Sequence, residues 1–276
     1  MTVPFLMPKL ALGASIGHGG DVRANLPRLA AALSAALDTP VRSALADSYD
    51  ELLALLGQGK IQIAWLPPLM HARAIEAGAR LAAVPQRGGW LTYRAAILVH
   101  RDRPVVGISR LRGLRAAWVD KASSSGYLFP RLELAMLGAP PERIFTSETF
   151  YGSASLAARA VGLGEADLCA CFVTDSAARN PERAAEDVQR ALGEAAQKLL
   201  RILHVTEPIP PDGFVLAAQL SALEQTRVTA ALLALHEREP VRQILLGMLR
   251  AEKLVAVNDA LLRSLRSWVD AAASRG

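Results

Sequence analysis

Cysteine is nearly absent: Cys169 and Cys171 are the only two in a chain of 276 residues. That excludes a disulfide-stapled scaffold, and a metal site built on cysteine pairs has no second pair. Lying two apart in ADLCACFVT, they share one face of a strand, which is poor geometry for a mutual bridge. Buried, unpaired thiols are the expectation. Lysine is scarce as well, with Lys9, Lys60, Lys121, Lys198 and Lys253 among 31 basic residues; the others are arginines. Aromatic residues make up only 5%, so a core must be built from alanine, leucine, isoleucine and valine. No apolar run reaches the roughly 18 uncharged residues of a spanning helix, so the mean hydropathy of +0.22 reflects alanine and leucine rather than a membrane segment. His18, His71, His100, His204 and His236 show no metal-ligand spacing with carboxylates, and neither a P-loop nor a G-x-G-x-x-G fingerprint occurs. No cofactor and no metal are expected.

What is present is a soluble α/β pattern long enough for about two domains. The net charge of +5 comes from arginines interleaved with acids, as in 179–190, which reads as a solvated helix face and argues against a nucleic-acid partner. The opening MTVPFLMPKLALGASIGHGG has no basic n-region followed by a continuous apolar stretch, since Pro4 and Pro8 interrupt it. It predicts no export signal, hence a cytoplasmic chain as it stands.

Strand and helix patterns alternate. Strands are predicted at 9–16, 41–45, 61–66, 81–84, 93–99, 114–119, 144–147, 166–173 and 200–205. Asn25 is predicted to cap a helix with Pro27 in its first turn, and Ser48-Tyr49-Asp50-Glu51 reads as a capping box for a helix ending at Gly57. Helices are expected at 126–137, 153–163 and 181–197, and only helices from Leu220 onward. The spacing predicts a parallel or mostly parallel sheet architecture. The stretches His100–Pro104 and Thr206–Pro211 read as crossings, which gives a discontinuous lobe of 1–100 plus 206–276 around an inserted lobe of 101–205. A two-lobed protein of this kind closes on its ligand by hinge motion.

The segment WVDKASSSGYLFP, 118–130, runs from a strand through a serine-rich turn and Gly126 into a helix. Free amides at a helix start, with the hydroxyls of Ser123, Ser124 and Ser125, suit a tetrahedral oxyanion; an ordinary N-cap with spare serines is the bland alternative. The segment resembles the D-x-x-S-T-S-G-Y-L-x-P signature of the phosphonate/phosphite/phosphate-binding (PhnD-like) family of ABC-transporter substrate-binding proteins. Asp120, Ser123, Ser125, Gly126, Tyr127, Leu128 and Pro130 match it, with Ser124 in the threonine position. Further along the chain, 61–68, 111–113, 164–167 and 209–212 are similar to the family's other motifs, in its order.

The resemblance implies a type II periplasmic-binding fold, α/β and two-lobed, with two crossover strands and a helical C-terminal segment. It implies a solute-binding protein, not an enzyme, holding a phosphonate, phosphite or phosphate between its lobes for ABC-type uptake. A permease partner, a periplasmic setting and a monomer go with it. By position the anion cradle falls on Ser123, Ser124, Ser125 and the Gly126 amide, and Tyr49 and Tyr93 match ligand-facing aromatic positions. This chain departs from the family where Ala154 replaces a ligand histidine, leaving Ser153 and Ser155 as donors, and where His71 takes an aromatic position. Asp175 stands where some members read a ligand amine; by itself it could equally cap the next segment. Two alternatives remain: the same fold as a cytoplasmic sensor or biosynthetic enzyme, and a serine hydrolase. The latter would use Ser124 in an A-x-S-x-G elbow, Asp175 and His204 in triad order, and His18-Gly19-Gly20 as an oxyanion loop.

Overall fold

The structure, a computed structural model, describes residues 10–16, 22–121 and 123–273. In chain order the main elements are β1 (Leu10–Ser15), α1 (Val22–Leu37), β2 (Val41–Ala46), α2 (Tyr49–Gly57), β3 (Ile63–Leu66), α3 (Pro68–Glu76), β4 (Arg80–Gln86) and β5 (Tyr93–His100). There follow β6 (Arg115–Trp118), a π-helical turn at Ser124–Leu128, α4 (Phe129–Met136), α5 (Pro141–Ile144), β7 (Ser147–Phe150), α6 (Ala154–Gly162) and β8 (Leu168–Thr174). Next come α7 (Pro181–Leu192), α8 (Glu194–Leu199), β9 (Leu200–Val205), β10 (Gly213–Leu216), α9 (Ala222–Ala234), α10 (Glu239–Leu249), β11 (Lys253–Ala256) and α11 (Asp259–Ala273). Among the described residues no helix is long and apolar enough to cross a membrane.

The chain divides into two compact units, residues 1–91 with 211–266 and residues 92–210 with 267–276. β5 and the segment up to Pro210 therefore lie in the second unit, because β5 is hydrogen-bonded along its length to β8 and β9.

The first unit is built on a six-stranded sheet in the order β11-β4-β10-β3-β1-β2. β1 runs parallel to β2 and β3, whereas β10 is antiparallel to β3 and β4. Both faces are covered. Leu26, Leu29, Leu33 and Leu37 of α1 pack with α10 on one side, and Leu52 and Leu56 of α2 with Ala74 of α3 on the other. α1 does not begin at Asn25, which is buried and accepts from Arg28 inside the helix. Val22 extends the apolar stripe one turn back, and Pro27 so near the helix start forfeits only one backbone bond. Ser48 caps α2 as expected, accepting from Glu51 N at 3.1 Å, while the Glu51 carboxylate reaches back to Asp47 N. β10 and β11 were not expected. Each is four residues long, too short for alternation to separate it from a helix turn.

The second unit carries a five-stranded sheet, β7-β6-β8-β5-β9, in which β7, β6 and β8 are parallel and β5 is antiparallel to both β8 and β9. Cys169, Cys171 and Val173 of β8 point to the face covered by α6 and α7, and Leu168 and Ala170 to the opposite one. Both thiols are free and buried. Burial pushes Cys171 up to about 12 and Cys169 well above its ordinary range, so neither ionises near neutrality. The expected strand at 144–147 instead lies at Ser147–Phe150, since Pro141 starts a helical turn that ends at Ile144. Likewise the helix expected at 181–197 breaks at Gly193, which adopts φ +92°, a backbone conformation that favours glycine. Asp187, expected in a solvated face, is buried; its carboxylate accepts the amide and hydroxyl of Thr174 and ties α7 to the end of β8.

In the first unit Pro211 and Asp212 are held tightly where the chain returns. His71 is buried and bonds the Pro211 carbonyl through Nε2 at 3.1 Å, and Asp212 accepts from Trp65 and from Arg87. Desolvation pushes the His71 imidazole down to about 4, against weaker upward pulls from the Pro211 bond and Asp212. The unfolded chain takes up this proton near 6.5, whereas the folded one resists it. Its contribution to stability is therefore complete above pH 6.5 and drains away as the pH falls towards about 4, amounting to about 3 kcal/mol. Denaturant unfolding at a series of pH values should show this loss, and His71→Phe should flatten it.

Candidate functional site

Three parallel strands of the second unit, β7, β6 and β8, end at the same edge of their sheet. Parallel strands send the chain into helix starts at their carboxyl ends, where amides converge and ligands bind in open α/β sheets. At this edge β6 leads into the serine turn, β7 into Gly152–Ser155, and β8 into Asp175. Tyr93 joins them, because β5 runs antiparallel and its first residue pairs with Thr174, the last of β8.

One residue joins two of these turns. The Val119 amide donates to the Gly126 carbonyl at 3.2 Å, and the Val119 carbonyl accepts from the Gly152 amide at 2.8 Å. Ser123 then closes the serine turn from inside: its Oγ accepts from the Gly126 amide at 3.2 Å and its carbonyl from the Leu128 amide at 2.9 Å. The wide π-type winding leaves Ser124 and Ser125 at the leading end, part-exposed. Among the described residues neither their amides nor their hydroxyls have a hydrogen-bond partner. Gly126 is required by contact, since a Cβ there would lie 2.8 Å from Val119 Cβ and 2.8 Å from Ser123 Oγ. Beneath the turn, Tyr127 meets Trp118 edge-on at 5.8 Å and lies under the Arg131 guanidinium at 5.3 Å. Glu148 accepts from both Arg131 and Trp118 Nε1. Neither charge of that pair could be located by motif, because the contact joins β7 to α4.

The expected residues fall as follows. Ser123, Ser124, Ser125, Gly126, Ser153, Ser155, Asp175 and Tyr93 gather at this one edge. Tyr49 belongs to the first unit, where it opens α2. Ser153 caps α6 by accepting from Leu156 N, and its hydroxyl lies 3.2 Å from that of Ser155. Tyr93 is buried and stacks on Phe172 with ring centroids 5.4 Å apart. Asp175 accepts from Arg94 Nε at 2.8 Å, and Arg94 also donates to the Thr206 carbonyl at 2.6 Å. Arg94, which the sequence did not single out, thus pairs with a carboxylate whose field would otherwise repel an anion here.

Among the described residues, Asp175 and His204 are engaged elsewhere than with Ser124. His204 sits in β9 opposite Ile97 and bonds Glu133 at 2.8 Å, while Asp175 is taken by Arg94. His18, Gly19 and Gly20 lie outside the described residues. Asp167 is at the other end of β8, clamped by Arg115 and Arg103. Burial alone would raise its pKa, but the Arg115 bonds and the two guanidinium charges hold it below the usual carboxylate range. It is a structural link.

Comparison with known proteins gives a consistent picture. A family model described as "ABC transporter, phosphonate, periplasmic substrate-binding protein" matches residues 19–262. Among solved structures, XAC2383 from Xanthomonas citri bound to ATP is similar with a TM-score of 0.80 and 18% identity, over 97% of this chain and 98% of that one. PhnD1 from Prochlorococcus marinus in complex with methylphosphonate gives a TM-score of 0.69 and 18% identity, covering 96% and 98%. The phosphonate-transporter binding component PA3383 from Pseudomonas aeruginosa gives 0.68 and 17%, covering 95% and 86%.

The contact at Gly126 is open to direct test. Gly126→Ala forces the turn off the branched Val119 side chain, which cannot swing away, and should lower stability by about 1–3 kcal/mol. Thermal melting should show a lower Tm, with Gly57→Ala, where nothing surrounds the added carbon and φ is not positive, as the control for an unrelated glycine.

Proposed function

The chain belongs to the phosphonate-binding family of ABC-transporter periplasmic substrate-binding proteins and has their type II periplasmic-binding fold, and from that premise we propose that it captures a small phosphorus oxyanion at the carboxyl edge of its second sheet. Capture rather than turnover is the reading, with delivery to an ABC permease as its use. The observation that carries it is the leading end of the serine turn, where the amides and hydroxyls of Ser124 and Ser125 stand together without partners among the described residues.

A tetrahedral oxyanion has several acceptor oxygens, no hydrogens to spare when fully ionised, and needs many donors on a short arc. Two hydroxyls and two amides at the positive end of a helix dipole supply such an arc. The methylphosphonate and ATP of the two similar structures share this tetrahedral phosphorus group. Asp175, paired with Arg94, does not oppose a doubly charged ligand, and amine recognition by its carboxylate is not needed. The missing histidine at Ala154 removes one titratable donor, so affinity rests on neutral groups. Local dipoles bind with weaker salt dependence than a cluster of exposed cations would.

Isothermal calorimetry with phosphate, phosphite and methylphosphonate, and sulfate as a shape control, tests this reading. At least one phosphorus anion should bind and raise the Tm. The double variant Ser124→Ala/Ser125→Ala removes two hydrogen bonds to a charged ligand and should weaken binding by at least about a hundredfold. Absence of heat and of a Tm shift across the panel would overturn the proposal.

A further inference from the structure

The phenylalanines of the second unit divide sharply. Phe129 is fully buried and Phe145 half-buried, but Phe150 and Phe172 are exposed, at 39% and 38%. Leaving more than a third of a phenylalanine in water forgoes a corresponding part of its burial free energy, so two of them at related places call for a reason. Phe150 is the last residue of β7, and Phe172 is the third from the end of β8. These strands flank β6 on either side, so the two rings bracket the strand that leads into the serine turn.

Phe172 is the more informative. Along β8 the residues from Leu168 to Val173 are otherwise buried on both faces, and the cover opens only at this ring. Phe172 pairs with Ala95 and shares its face with Tyr93, Ala170 and Leu168. Tyr93 holds it from one side, with the two planes 26° apart, which fixes the ring instead of leaving it to swing. The π-helical turn of Ser124–Leu128 packs against both β8 and β5. A ring held in place and partly in water therefore sits on a strand against which the serine turn itself packs. On the β7 side, Phe150 meets Tyr127 of the turn itself at 5.0 Å.

We propose that Phe172 is a stacking platform for a planar aromatic substituent on the oxyanion ligand, so that the site prefers aryl-bearing phosphonates or phosphates over alkyl ones. The inference rests on the reading of the serine turn as the anion site and adds the class of its organic group. The turn takes the charged end, and the ring of Phe172 takes a flat apolar end that a methyl group cannot reproduce.

The test is calorimetry with methylphosphonate and phenylphosphonate on the wild-type chain, Phe172→Ala and Phe172→Leu. Phenylphosphonate should bind about tenfold more tightly than methylphosphonate to the wild type, as expected for one stacked ring. In Phe172→Ala the ratio should fall to within about twofold, with methylphosphonate affinity kept within about threefold. Phe172→Leu retains bulk without a π face and should likewise lose the preference; it carries the test alone if the alanine variant does not fold. Methylphosphonate binding with no phenyl preference, or a preference that survives both variants, overturns this inference and leaves the anion site standing. Loss of methylphosphonate binding in a folded Phe172 variant also overturns it. If the wild type binds neither ligand, both readings fall.

Discussion

The peptide groups of Val119 set the geometry on which the candidate site depends. Its amide holds the serine turn through Gly126, and its carbonyl holds the next turn through Gly152, so two strand-to-helix junctions share one anchor. This works only because Gly126 lacks a Cβ, which lets the turn lie against the Val119 side chain. Ser123 acts as an internal brace. With these bonds made, Ser124 and Ser125 are left at the leading end, their donors without a partner among the described residues. The division of labour among three adjacent serines follows from one close backbone approach.

Electrostatically, the edge is arranged by pairing rather than by net charge. Arg94 with Asp175 and Arg131 with Glu148 are closed ion pairs, and Asp187 is satisfied by Thr174. The abundant arginines brace strands and turns. On the proposed reading an anion at this edge would meet oriented dipoles near ion pairs that are already closed, and such dipoles need little reorganisation.

Much of this was legible in the order of residues. Alternating strands and helices, the capped start of α2, the paired inward thiols and the serine turn all follow from local rules, and the five motifs in their order identified the family. Other features were not legible because they are made by contacts distant in the chain. Arg94 and Asp175 are 81 residues apart, and Arg131 of α4 meets a glutamate on β7. β10 and β11 owe their extended form to pairing with β4, which a four-residue string does not announce. The break at Gly193 was within reach, since glycine ends helices; an amphipathic pattern running through it hid the stop. Phe172 too had a visible signal, a bulky ring among small residues in LCACFVT, but whether it is covered depends on where the neighbouring helices end.

The two thiols lend themselves to another use. Both cysteines of the chain are buried and held un-ionised, so alkylating reagents at neutral pH find no thiolate in the folded state. A single cysteine introduced at exposed Ser155, beside the serine turn, would thus be the one site taking a maleimide dye. The native chain is ready for an environment-sensitive label without first being made cysteine-free, and ligand arrival could be followed optically in the protein as it stands.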